Sequence, residues 1–246
     1  MQESQVKNEL PLFNLAPLES FSLKYYQNIQ NEKLVQLITT FAVIHNDFKD
    51  MLWFKEFLND HINNELKQQS HNIITAKRGQ LYGMYNHCIR IICACAWEFI
   101  QTIEDNIEVI SSPDFDTLVS TIDRPEYRAW KDIVKSITNQ TGLYKTLREI
   151  RQNATYHYNQ IKFATIGLDH YIKKMNDKGY ISFGINPEQT RFYFADAAVQ
   201  YYHQYITEKY NSKFNNEISQ FIKKTLVCLH GIITIFFKQQ VQTSKV

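Results

Sequence analysis

Residues that interrupt helices are scarce in this chain. Only seven glycines and five prolines occur among 246 residues, which leaves long stretches free to propagate as helix joined by short turns. The class this implies is mainly α: a helical bundle of long antiparallel helices. With 44% hydrophobic and 14% aromatic residues the chain can bury a substantial core, near the upper end of what one domain holds.

Apolar spacing places the elements. Residues 32–65 carry Leu34, Ile38, Phe41, Phe48, Leu52 and Leu58 at helical intervals, with a break expected near 45–49. Residues 77–109 put Tyr85, Cys88, Ile92, Cys95, Phe99 and Ile103 on one stripe, and the middle of this segment is apolar nearly all round, as expected of a central buried helix. Pro113 and Pro125 punctuate before a short helix at 128–138, and Gly142 separates that helix from residues 143–158, LYKTLREIRQNATYHY. Further helices are expected at 161–175, 195–210 and 215–238. Between them YISFGI and TRFYF alternate about NPEQ, which reads as a small β-hairpin insertion near 180–194. Residues 1–30, with Pro11 and Pro17, read as an irregular N-terminal arm, and 31–240 as a single helical domain.

Several chemistries are excluded or unsupported. No Walker-type loop, GxGxxG, GxSxG or HExxH occurs, and the eight histidines have no ligand-like spacing, so neither a metal nor a cofactor is expected. The four cysteines include no CxxC pair and read as reduced core thiols. A basic region followed by an apolar one is missing from the N-terminus, and the longest apolar run, 225–237, carries His230 and falls short of a membrane span. The expectation is a cytoplasmic protein with no membrane partner. The net charge of +2 conceals segregation: residues 98–132 hold nine acidic against three basic residues, whereas 143–178 hold seven basic against three acidic. Such runs ordinarily mark solvated helix faces, but a basic surface beside a site would also attract phosphate.

The segment 143–158 unites an apolar stripe with reactive side chains. Leu143, Leu147, Ile150, Ala154 and Tyr158 form the stripe, and Glu149, Asn153 and His157 stand at i, i+4 and i+8, one polar row if the helix is regular. Arg148 and Arg151 lie off that row. Arg151 and His157 are separated by roughly 120° about the axis, an angle a long guanidinium side chain can bridge. An imidazole near neutral pKa can move a proton to or from a ribose 2′-hydroxyl or a leaving oxygen while arginine steadies the developing charge, which is the logic of metal-independent phosphodiester cleavage. The plainer reading is a histidine bonded to a neighbouring carbonyl and an arginine in a surface ion pair.

IRQNATYHY resembles the arginine-to-histidine signature of the HEPN superfamily, helical domains in which the two residues stand four to six apart near a helix end; here five residues lie between Arg151 and His157. The motif itself spans about ten residues, and the following HYN and the later RFYFADAAVQYY add to the likeness. What the resemblance implies is a helical bundle that often forms a homodimer with two motifs face to face. In many members it also implies an endoribonuclease acting as a toxin or phage-defence effector, with RNA as substrate and an antitoxin or effector protein as partner. Arg151 and His157 take the catalytic roles by this likeness, with Glu149, Asn153, Arg148 and Tyr158 in support. Gln152 stands where catalytic members more often carry Asn, Asp or His directly after the arginine, and Asn153 follows one position later. Two other classes stay open: a non-catalytic helical module that binds RNA, nucleotide or a protein partner, and a small-molecule sensor using the same basic region. Tyr156, Tyr158, Tyr171, Tyr201, Tyr202 and Tyr205 could stack on bases, although aromatics at helical spacing more often pack in a core or an interface.

Overall fold

A computed structural model describes residues 22–27, 29–68, 75–140, 142–155, 162–175 and 178–241. Two long helices, α2 (Glu32–Gln68) and α3 (Ala76–Asp105), follow a short α1 (Leu23–Gln27). Helices α4 (Ile107–Ile110), α5 (Pro113–Ser120), α6 (Arg124–Thr138) and α7 (Gly142–Ile150) come next, and α7 runs on as a π-helical turn, Arg151–Thr155. The chain closes with α8 (Lys162–Lys174), α9 (Tyr193–Lys209) and α10 (Phe214–Phe236), the last extended by a second π turn, Phe237–Val241.

Local signals account for most of these boundaries. Thr75 caps α3 by accepting from the Arg78 amide at 3.2 Å, and Ser112 caps α5 by accepting from Phe115 at 3.3 Å, with Pro113 in the first turn where its missing N–H costs nothing. The two prolines expected as breaks thus act as helix starters. Helix α6 begins at Arg124, earlier than its apolar spacing suggested, because Pro125 falls inside its first turn. Gln140 and Asn211, at φ 42° and 47°, take the left-handed conformation just beyond α6 and α9. Gly142 opens α7 rather than standing between helices, and its carbonyl accepts from Thr146 Oγ1 at 2.8 Å. The expected interruption at 45–49 is absent, since α2 runs through it with Ile44 and Phe48 buried.

The core is aromatic at its centre. Phe41 of α2 packs on Phe99 of α3 at 6.1 Å, on Phe115 of α5 at 6.5 Å and on Trp130 of α6 at 6.1 Å, while Phe99 reaches Phe221 of α10 at 6.0 Å. Five helices therefore meet through one ring cluster, in which each pair adds about 0.5–1.5 kcal/mol beyond simple burial. The four cysteines are free, and three of them are buried. Burial pushes the thiols of Cys88 and Cys228 up to about 11 and about 12, so neither is a nucleophile near neutrality. Residues 216–239 are long and apolar enough to cross a membrane by length and composition. Within the bundle, Phe221, Ile222, Leu229, Ile232 and Phe236 of this segment are core residues, and their packing accounts for its apolarity.

The β-hairpin expected at 180–194 is not formed, and no strand occurs among the described residues. One antiparallel bridge joins Ser182 and Arg191 through two backbone hydrogen bonds of 2.9 Å, and Pro187–Gln189 makes a single 3-10 turn. The ladder fails to extend because side chains take its amides: Thr190 Oγ1 accepts from Gly184 N and Gln189 Oε1 from Ile185 N. Phe183 is 78% exposed and Ile185 98% exposed, so no buried face exists to hold a register. Tyr193 and Phe194 belong to α9. The loop is tied down at its far end, where Arg191 pairs with Asp196 at 2.9 Å and Tyr193 donates its hydroxyl to the Ala76 carbonyl at 2.8 Å. Gly83 of α3 makes room for that ion pair, since a Cβ there would lie 1.9 Å from Arg191 Nη2.

Candidate functional site

Helix α7 is anchored by its apolar side: Leu147 and Ile150 are fully buried, Leu143 and Ala154 nearly so. That stripe is the one read from the sequence, apart from Tyr158, which lies outside the described residues. On the polar side α7 does not continue as a regular helix. A π turn over Arg151–Thr155 admits an extra residue into each hydrogen-bonded ring.

Glu149, still in the regular part of α7, and Asn153 both face α9. Lys209 Nζ donates to both carboxylate oxygens of Glu149 at 2.9 Å, and the Tyr210 hydroxyl donates to Oε2. The bond to Glu149 raises the pKa of both Lys209 and Tyr210. Asn153 faces Tyr202, whose hydroxyl is pushed up to about 12, chiefly by burial and then by the negative charge of Glu149. These contacts lock α7 to α9. Arg148 is exposed on the outer side.

Arg151 turns the other way, toward α3. Its Nε and Nη2 each lie 3.0 Å from Glu98 Oε1. The arginine side chain is 23% exposed and the glutamate 57%, so the pair sits at the edge of the bundle in contact with water. Just over two turns toward the N-terminus of α3, Arg90 supports the π turn directly: Nη1 donates to the Ala154 carbonyl at 3.4 Å, and Nη2 donates to His87 Nδ1 at 2.9 Å. Burial first, then the charges of Arg90 and Arg191, hold His87 below its ordinary value. His157 and Tyr158 lie outside the described residues. The structure brings Arg151 to Glu98 on α3, whereas Glu149 and Asn153 face α9.

Sequence reading passed over Glu98, Arg90 and His87, and no local signal could have found them. All three are ordinary outward positions on an otherwise apolar helix. A second feature was equally hidden. A cleft of about 830 Å³ opens between α2, α3, α9 and the first turn of α10. His203 lines it, and its Nε2 is shut off from solvent with no hydrogen-bond partner among the described residues. Burial, then the nearby Arg90 charge, lowers the pKa of this imidazole to about 4, which keeps it neutral at physiological pH. No group of three or more His, Cys, Asp or Glu residues placed to hold a metal occurs among the described residues.

Comparison of the chain with protein-family models, with curated proteins and with solved structures gives no match.

Proposed function

We propose that the chain is a metal-independent endoribonuclease of HEPN type, with Arg151 and His157 as the catalytic pair. The observation that carries this reading is the position of Arg151, in a π turn at the water-facing end of α7, with five residues between it and His157. Short π insertions recur at functional sites, where they redirect a side chain at the cost of a regular hydrogen bond. The bound strand presents a ribose 2′-hydroxyl to His157, which takes its proton. The freed 2′-oxygen bonds to the adjacent phosphorus, and the bond from phosphorus to the 5′-oxygen breaks. The products are a 2′,3′-cyclic phosphate and a 5′-hydroxyl, the latter taking up a proton. Arg151 steadies the charge that accumulates on the phosphoryl oxygens.

Glu98 is the obvious competitor for Arg151. An exposed ion pair is worth about 1 kcal/mol or less, whereas a phosphodiester offers arginine a charge-assisted, bidentate partner. Substrate can therefore displace the glutamate. A homodimer that brings two motifs together completes this reading, and a toxin or phage-defence role with a cognate inhibitor follows from it.

The test is incubation of purified protein with structured and unstructured RNA in EDTA, alongside Arg151→Ala and His157→Ala. Loss of cleavage by about 10²-fold or more in both variants is expected, with native mass determination reporting the dimer. Equal background cleavage by all three proteins refutes the catalytic assignment. The engagement of Arg151 by Glu98, and of Glu149 and Asn153 by α9, favours one second reading, a non-catalytic RNA-binding module. Retained RNA affinity without product, lost on Arg151→Ala, distinguishes it.

A further inference from the structure

The cleft between α2, α3, α9 and α10 has a composition that plain packing does not explain. Its volume of about 830 Å³ lies within the range of small-ligand sites. Two lysines line it, Lys55 and Lys213, and among the described residues no aspartate or glutamate does. Lys55 Nζ is 2.9 Å from Oε1 of Glu56, but that carboxylate is 65% exposed and lies outside the lining. Lys213 is exposed and has no carboxylate within ion-pair distance among the described residues. It is also the N-cap of α10, a helix of 23 residues, and its side chain offers no acceptor to the amides of the first turn. The partial positive charge of that helix end thus goes uncompensated by a cap. Glu217, the acid of that turn, accepts from Ser212 Oγ at 2.6 Å and lines a different, smaller cavity.

His203 supplies the independent observation. A buried imidazole nitrogen without a hydrogen bond carries a desolvation cost that native structures rarely leave standing, and this residue lines the cleft. Beside the polar groups the lining is apolar, with Ile89, Ile92 and Ile218.

We propose that this cleft binds a small amphipathic organic anion. Its acidic group lies at the first turn of α10 beside Lys213, its apolar body rests on the isoleucines, and a turn of the His203 ring, whose Nε2 is shut off from the cleft as it stands, gives that nitrogen a polar atom of the ligand to pair with. The site is independent of the Arg151/His157 reading and stands whether or not RNA is cleaved.

The probe is 8-anilinonaphthalene-1-sulfonate, which joins an apolar body to a fixed negative charge, titrated into the full-length protein by calorimetry and fluorescence. Its neutral counterpart, N-phenyl-1-naphthylamine, serves as comparison. One sulfonate molecule per chain is expected, binding about tenfold or more tighter than the neutral compound, with thermal stabilisation of the protein. Lys213→Gln and His203→Leu should each weaken it by about tenfold, while Lys224→Gln, outside the cleft, leaves it unchanged. Lys213 is exposed, so its variant retains the fold even if the histidine variant does not. Displacement of the probe by inorganic phosphate assigns a phosphate headgroup, and displacement by acetate a carboxylate. Displacement by neither, equal affinity for the neutral compound, or undiminished binding in Lys213→Gln overturns the proposal.

Discussion

His203 gives the sharpest physical test of the structure, because its expected effect has a definite sign and a narrow pH window. Its imidazole falls from an ordinary 6.5 to about 4 in the folded chain, first because burial disfavours the cation and then because Arg90 repels it. Above pH 6.5 the group is neutral in both folded and unfolded chains and contributes nothing to the pH dependence. Between pH 6.5 and 4 the unfolded chain binds a proton that the folded chain refuses, so stability falls as the solution is acidified. The full drop corresponds to about 3 kcal/mol at about 1.36 kcal/mol per pH unit, of which about 2 kcal/mol has been lost by pH 5. Urea unfolding of the parent and of His203→Leu at pH 7.5 and pH 5 measures the effect as a double difference. Other histidines lowered by burial, His45 and His87, titrate in both proteins and cancel. The variant should gain about 2 kcal/mol on the parent across this interval. Parallel stability profiles, with the gap constant to within about 0.5 kcal/mol, would refute the placement of His203 in a closed, unpaired environment.

Three further outcomes follow from the contacts around α7 and α9. Glu98→Gln removes an exposed partner of Arg151 and should lower stability by less than about 1 kcal/mol in thermal melts, while RNA cleavage is retained or increased. Glu149→Gln, which weakens the bonds from Lys209 and Tyr210, should reduce the melting temperature yet leave cleavage per folded molecule unchanged; a selective loss of activity would return Glu149 to the site. Gly167→Ala should be the most damaging of the small substitutions. A Cβ there would lie 1.8 Å from the Ala198 carbonyl oxygen, and only movement of α8 against α9 can relieve it. A cost of about 1–3 kcal/mol in denaturant unfolding is expected.

The helices were legible because burial imposes a period that survives in one dimension. Phe41, Phe48, Cys88, Ile92, Phe99, Leu147, Ile150, Phe221 and Leu229, all marked by spacing alone, are buried. What spacing cannot register is a local change of helical pitch. Glu149 and Asn153 share a side, both facing α9, and His157 lies outside the described residues, but spacing gave no sign of the π turn that begins at Arg151. The hairpin failed for a related reason. Alternating aromatic and β-branched residues announce a strand when one face is buried, but Phe183 and Ile185 face water, and the amides of Gly184 and Ile185 bond to nearby side chains. The cleft was illegible because Lys55 of α2 and the α3 residues that line it lie far along the chain from His203 and Lys213.

The segregation of charge along the chain acquires a different meaning once the helices are packed. Glu98 opens the acidic stretch and Arg151 lies within the basic one, and the fold sets them against each other at 3.0 Å. Within the basic stretch, Glu149 is in turn held by Lys209 from α9. At Arg151 the basic run is thus already neutralised from α3, at a contact that water reaches. An RNA phosphate arriving at Arg151 must exchange with a carboxylate before it releases any counterion. The salt dependence of RNA affinity at this face should therefore be shallower in the parent than in Glu98→Gln, where that exchange is removed. Equal slopes in the two proteins, measured by fluorescence anisotropy over a range of salt concentrations, would place RNA elsewhere on the surface.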